Sequence, residues 1–159
     1  MVRGTPAPGL KTLFTRAALV VAAGLTVAQF IRPDRTNPPT DPTRTLAAVT
    51  HPGANVLAVL DRGCRDCHTH DTVWPWYTNV APISWFVIGH VNEGRHELNL
   101  SKWADYDKAL QAKRLAQMCD LVQREEMPLS SYLLLHRDSR LNDEDRQAIC
   151  DWTDAQAGQ

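Results

Sequence analysis

The sequence predicts an all-α domain carried behind one apolar N-terminal helix. Three observations lead there. No alternating run of β-branched residues exceeds four positions, so strand signals are nearly absent. Apolar residues recur at helical spacing in several segments of the second half. A charge-free apolar run lies near the N-terminus. The bulk figures agree with a globular domain: 159 residues, 43% hydrophobic and 22% charged, which argues against wholesale disorder. Seventeen basic against eighteen acidic residues leave a net charge of -1, which gives no electrostatic support for nucleic-acid binding.

Residues 1–31 read as a separate piece. The run Ala17 to Ile31 has Gln29 as its only strongly polar member; extended back to Leu13 it takes in Arg16, whose stem can snorkel to an interface. Arg3, Lys11 and Arg16 precede it with no acidic residue among them. Arg32, Asp34, Arg35, Asp41 and Arg44 follow, so the flank beyond carries only +1. This bias predicts an N-terminus in the cytoplasm and a domain on the periplasmic, extracytoplasmic side of the cell membrane. A retained single-pass anchor is expected over a cleaved signal, because Gln29-Phe30-Ile31-Arg32 offers no small-x-small cleavage site. A buried core helix is the plainer alternative. Residues 32–45 hold four prolines and read as an extended linker, leaving residues 46–159 as the folded domain.

Within that domain four helices are expected in order. Residues 54–62 place Val56, Leu57 and Leu60 on one face, and Gly63 ends the helix. Pro82 suits the first position of a helix running to about residue 98, whose broad apolar set (Ile83, Trp85, Phe86, Val87, Val91) predicts deep burial. Residues 105–124 put Leu115, Met118 and Val122 on one face, with Cys119 beside them. Asn142 is a good N-cap for a last helix, with Asp143, Glu144 and Asp145 in its first turn and Ile149 and Trp152 as its stripe. Four short helices bury a modest core for this length, and a large internal cofactor would help to fill it.

The motif that carries chemistry is Cys64-Arg65-Asp66-Cys67-His68. This is C-x-x-C-H, the attachment pattern of c-type haem. Two thiols three residues apart on a helical turn can each add to one vinyl group, and the next residue then supplies an imidazole to the iron. A cytochrome c-like helical fold around one covalent haem c follows as the expectation. A thioredoxin-like redox pair would need a βαβ context, which is missing. Structural zinc on Cys64, Cys67, Cys119 and Cys150 is disfavoured by the wide spacing of the second pair.

For the second axial position Met127 is the candidate. Pro128 pushes it out of helical conformation, and a methionine held in a loop after a helix can aim its thioether inward. A hydrophobic helix-end contact is the plainer reading of the same residue. Met118 belongs to a helix stripe and is expected in the core. His70 follows His68 too closely to reach the other face of the same haem, while His51, His90, His96 and His136 stay open as alternatives. Trp74, Trp76, Tyr77 and Trp85 read either as a wall of a haem crevice or as ordinary core. Arg95 reads as a propionate partner or a solvated helix charge, and Glu125-Glu126 as a solvated helix end.

The segments Trp74 to Tyr77, Pro82 to Trp85, Asn92 to Arg95 and Leu98 to Trp103 resemble, together with Cys64 to His68, the small bacterial haem-binding domain family related to c-type cytochromes. Glu126-Met127-Pro128, Tyr132 to His136, and Ile149 with Trp152 extend the resemblance, as do Gln29 to Pro33 and Asn37 to Pro39. It implies a membrane-tethered, exported protein with a single haem. Cys119 and Cys150 lie outside these motifs; they either form a disulfide between the third helix and the last or stay buried as thiols.

Transfer of single electrons is the first functional expectation, with membrane redox proteins as donor and acceptor. No catalytic residues and no small-molecule substrate are evident, so an enzyme is not expected. The alternatives are a gas or peroxide sensor or enzyme with an open distal site, and a haem-bearing subunit of a larger membrane assembly.

Overall fold

The computed structural model describes residues 9–157. Arg3, one of the three basic residues read as flanking the apolar run, lies outside the described residues. Among these residues the fold is all-α with no strand, as the sequence predicts. The chain divides into two compact units, Met1–Arg35 with Trp74–Ile88, and Thr36–Val73 with Gly89–Gln159.

The first unit is built on α1 (Leu10–Ala28), whose nineteen residues are long and apolar enough to cross a membrane. None of its residues is buried. At its end the Gln29 side chain meets the Ala81 backbone twice: Nε2 donates to the Ala81 carbonyl at 3.0 Å, and Oε1 accepts from the Ala81 amide at 3.0 Å. The Trp85 indole donates to the Ile31 carbonyl at 2.6 Å, and Arg35 donates to Thr78 Oγ1 at 3.0 Å. A 3-10 turn at Trp76–Asn79 leads to Pro82, just before α5 (Ile83–Glu97) begins.

The second unit holds the core. α2 (Leu46–Thr50) starts where Thr45 Oγ1 caps the Ala48 amide and stops at His51, which takes a left-handed φ of 46°. α3 (Ala54–Gly63) buries Val56, Val59 and Leu60. α4 (Arg65–His68) is a single turn. A 3-10 segment, Leu100–Asp105, delivers Trp103, which is fully buried. α6 (Lys108–Gln123) begins where Asp107 caps the Leu110 amide and buries Leu115, Met118 and Val122, the face its periodicity predicts. α7 (Ser130–Leu133) is another single turn. α8 (Asp143–Ala157) opens on a reciprocal cap between Asn142 and Asp145, each side chain accepting from the other's amide.

α6 packs on α8, and the Cys119–Cys150 disulfide joins them with Cα atoms 4.8 Å apart. This settles the two readings of that pair. α3 packs on α8 as well, with Arg62 paired to Asp145. One expectation fails. The apolar set of α5 is not deeply buried as a whole: Val91 is buried, but Ile83, Trp85 and Phe86 are exposed. Their hydropathy is what a core helix would show; their surroundings are not.

Candidate functional site

The chain leaves α3 at Gly63 and turns at once into α4. The Cys64 amide still bonds the Leu60 carbonyl, and the Cys64 carbonyl already accepts from the His68 amide. Cys64 and Cys67 therefore lie one turn apart on the same short helix, and both are free thiols. Burial pushes the Cys64 thiol up to about 12, with the neighbouring Cys67 adding to it. Burial pushes Cys67 up to about 11, with Asp66 adding. Both stay protonated at neutral pH, the opposite of the acidic thiol that thioredoxin-like chemistry uses.

His68 is held by its Nδ1. That nitrogen lies 2.9 Å from the Gly94 carbonyl and 2.9 Å from the Leu98 carbonyl, at the C-terminal end of α5. The Gly94 carbonyl also accepts from the Leu98 amide at 2.9 Å, so the imidazole N–H uses its second lone pair. Both neighbours are acceptors, so Nδ1 carries the proton and Nε2 keeps its lone pair. Burial lowers the ring's pKa, against the opposing pull of the two carbonyls, and so favours the neutral form. Among the described residues no hydrogen bond engages Nε2.

Gly94 has a second duty. A Cβ there would lie 2.6 Å from the Cys67 carbonyl oxygen and 3.1 Å from the Cys67 Cβ, so only glycine lets α5 approach α4 this closely. Asp66 fixes the turn from the other side. Its Oδ1 accepts from the Val73 amide at 3.0 Å, its Oδ2 from the Tyr132 hydroxyl at 2.9 Å, and its carbonyl from Thr72 Oγ1 at 2.7 Å. Arg95 is neither a solvated charge nor free for an anion. It donates to the Thr69 and Thr36 carbonyls at 2.7 Å each, to Thr72 Oγ1 at 2.8 Å and to Asn37 Oδ1 at 3.0 Å. The proline-rich residues 36–39 are thereby tied to the turn after the motif.

Met127 lies elsewhere on the unit. Glu125 takes a left-handed φ of 55°, and the Met127 amide turns back to the Leu121 carbonyl at 3.2 Å. The half-buried side chain packs on the core and lines an open cleft of about 810 Å³ with Pro128, Leu133, Leu134, Leu141 and Arg140. Cys64, Cys67 and His68 are not among the lining residues of that cleft. The link is Gly63, where an added Cβ would meet Leu141 and Pro128.

Three of the other histidines have visible partners. His70 is buried, with Nδ1 on the Pro39 carbonyl at 3.3 Å and Nε2 accepting from Asn99 at 3.0 Å. His136 stacks on Tyr132 with ring centroids 4.1 Å apart, and His96 faces Glu97 at the surface. Met118 is buried in α6, as its stripe implies. The Trp85 indole N–H is taken by Ile31 and is not available to a propionate.

Sequence reasoning named the motif but missed Gly94 and Asp66 as parts of the site. Asp66 could have been suspected as a buried-side acid inside the pentapeptide. Gly94 carried no local signal, since its role depends on a segment 27 positions away (94 minus 67).

These features suit an iron-bearing, largely apolar cofactor. One imidazole nitrogen is preset as a donor atom, and two thiols flank it. Zinc has no donor set here: Cys119 and Cys150 are bonded to each other, and no three His, Cys, Asp or Glu groups converge among the described residues. No curated protein and no solved structure matches the chain. The family model of the haem-binding domain matches residues 23–155, most of the chain, and the chain belongs to that family.

Proposed function

We propose that this protein is a membrane-tethered carrier of single electrons with one covalently attached haem. The observation that carries the reading is His68, whose Nδ1–H is shared by the Gly94 and Leu98 carbonyls while Nε2 stays open beside two free thiols. Cys64 and Cys67 would hold the haem as thioethers, and His68 Nε2 and, as the second ligand, the Met127 thioether would bind its iron. Bound there, the haem supplies reversible one-electron chemistry at a potential that histidine–methionine ligation raises.

The chain's own contribution is orientation. The two carbonyls fix the imidazole tautomer and ring plane, and such partners also raise the basicity of a ligating nitrogen. Gly94 and Asp66 hold the α4 turn against displacement. α1 would anchor the protein in the cell membrane with the haem domain on the periplasmic side, near membrane redox partners. No substrate is transformed in this reading.

The test is the optical spectrum of the full chain matured with covalent haem, oxidised and reduced, with and without carbon monoxide, beside Met127→Ala. A methionine-to-iron charge-transfer band that the substitution removes, with no gas binding by the wild type, is the expected result. A wild type that binds carbon monoxide readily and ignores the substitution would overturn the Met127 ligation and move the reading to gas or peroxide chemistry.

A further inference from the structure

The segment Trp74–Ile88 contains no charged residue, yet it carries three tryptophans, a tyrosine and a phenylalanine. A charge-free aromatic stretch of that length ordinarily reads as core. Here much of it faces outward: Trp76 is 77% exposed, Phe86 54%, Ile83 48% and Trp85 38%. Phe30, just past the end of α1, is 84% exposed. Scattered apolar residues on a surface need no explanation, but this is a cluster confined to one unit of the chain.

Its location supplies the occupant. Within that unit the segment is fastened to the last turn of α1 and the residues just after it. Gln29 grips the Ala81 backbone, Ile31 accepts the Trp85 indole, and Arg35 reaches Thr78. The segment that carries the exposed rings is thus held at the end of α1, whose own apolar residues also face outward. Tryptophan and other amphipathic rings concentrate at that level of a bilayer, where an apolar body meets lipid and a polar edge meets headgroups. Irregular backbone is admitted at such depth only where its polar groups are satisfied, and the Gln29 side chain does this for Ala81.

We propose that Trp74–Ile88 is an interfacial collar, resting in the headgroup layer of the bilayer that α1 spans. The proposal builds on the anchoring reading above. The collar adds a second contact with the lipid surface and limits how the chain beyond α1 can tilt at the membrane.

The test uses the full chain reconstituted into phosphatidylcholine–phosphatidylglycerol vesicles. Tryptophan emission is compared in plain lipid and in lipid brominated high on the acyl chain, after flotation has recovered the membrane-bound protein. No tryptophan precedes Trp74, so α1 itself adds nothing to the signal. Emission is expected to fall in the brominated lipid by up to about two-fifths through the exposed pair Trp76 and Trp85, two of the five tryptophans, with the half-buried Trp74 adding less. Trp76→Phe combined with Trp85→Phe should lose that fall and still float. A chain that floats without quenching, or whose quenching survives both substitutions undiminished, overturns the collar alone. A chain that fails to float overturns the anchor and the collar together.

Discussion

In the unit made of Thr36–Val73 and Gly89–Gln159, Leu115, Met118, Ile149 and Trp103 are buried against one another. In the unit made of Met1–Arg35 and Trp74–Ile88, Leu19, Val20, Phe30, Trp76 and Phe86 face outward. The residue types differ little between the two. What differs is whether the chain supplies a second apolar surface for them to meet. α6 and α8 provide one another with such a surface, closed by a disulfide; α1 has none among the described residues. Hydropathy alone does not separate a buried face from an exposed one, and only the packing tells which of the two a segment is.

The largest effect should come from charging the outward-facing apolar half of this contrast. Leu19→Arg with Val20→Arg places two charges mid-helix, at about 5–7 kcal/mol against insertion for the pair. Flotation with vesicles should fail, while the haem spectrum in detergent stays as in wild type. A double variant that still floats would break the contrast.

Next comes the disulfide. Cys119→Ser with Cys150→Ser should cost the second unit roughly 3–4 kcal/mol by the chain-entropy model for a loop of this size. Chemical denaturation followed by circular dichroism measures it, and membrane recovery of the folded protein should not change.

Gly94→Val should cost about 1–3 kcal/mol by overpacking against Cys67. It should also lower haem loading, because the same backbone holds His68. A variant that loses stability but loads and ligates haem normally would detach Gly94 from the site.

The smallest effect is electrostatic. Burial opposes ionisation of Asp145, but the Arg62 guanidinium, the Asn142 amide and Arg146 outweigh it and hold the carboxyl below its ordinary value of 3.8. A carboxylate with a depressed folded pKa contributes stability above the unfolded pKa and loses it as pH falls through the folded value. Asp145→Asn should therefore cost about 1 kcal/mol near neutrality, in the range of a lost helix cap. The deficit should shrink as the wild type is titrated below pH 3.8.

The legible parts of the fold are those whose signal is local. Asn142 announces α8 because an N-cap needs only its own side chain and the amide three residues on. α6 shows its buried face in its periodicity; α3 does so only in part, since Val56 and Leu60 are buried as expected while Leu57 is exposed and Val59 is buried in its place. α2, α4 and α7 were not read from the sequence, because four or five residues are too few for propensity to act on; they form where tertiary contacts hold them. The same limit applies at the site. Cys64, Cys67 and His68 stand together in sequence and were readable. The carbonyls that orient His68 belong to residues 94 and 98, and the partners of Arg95 come from residues 36, 37, 69 and 72, so no window of sequence contains them. α5 misled for another reason. Its apolar set is real, but exposure depends on what surrounds it.

The amide of Gln29 has a consequence for how substitutions at the end of α1 are judged. Its side chain pairs with Ala81 as the backbone of a neighbouring strand would, donor to acceptor and acceptor to donor. Replacing it with leucine would lengthen the apolar stretch, and a hydropathy profile would score the change as a better anchor. The amide and the carbonyl of the buried Ala81 would meanwhile lose their partners. A lone polar residue at the end of an apolar helix can thus be the position least open to an apolar substitute, because it completes the hydrogen bonding of a loop some fifty residues later in the chain.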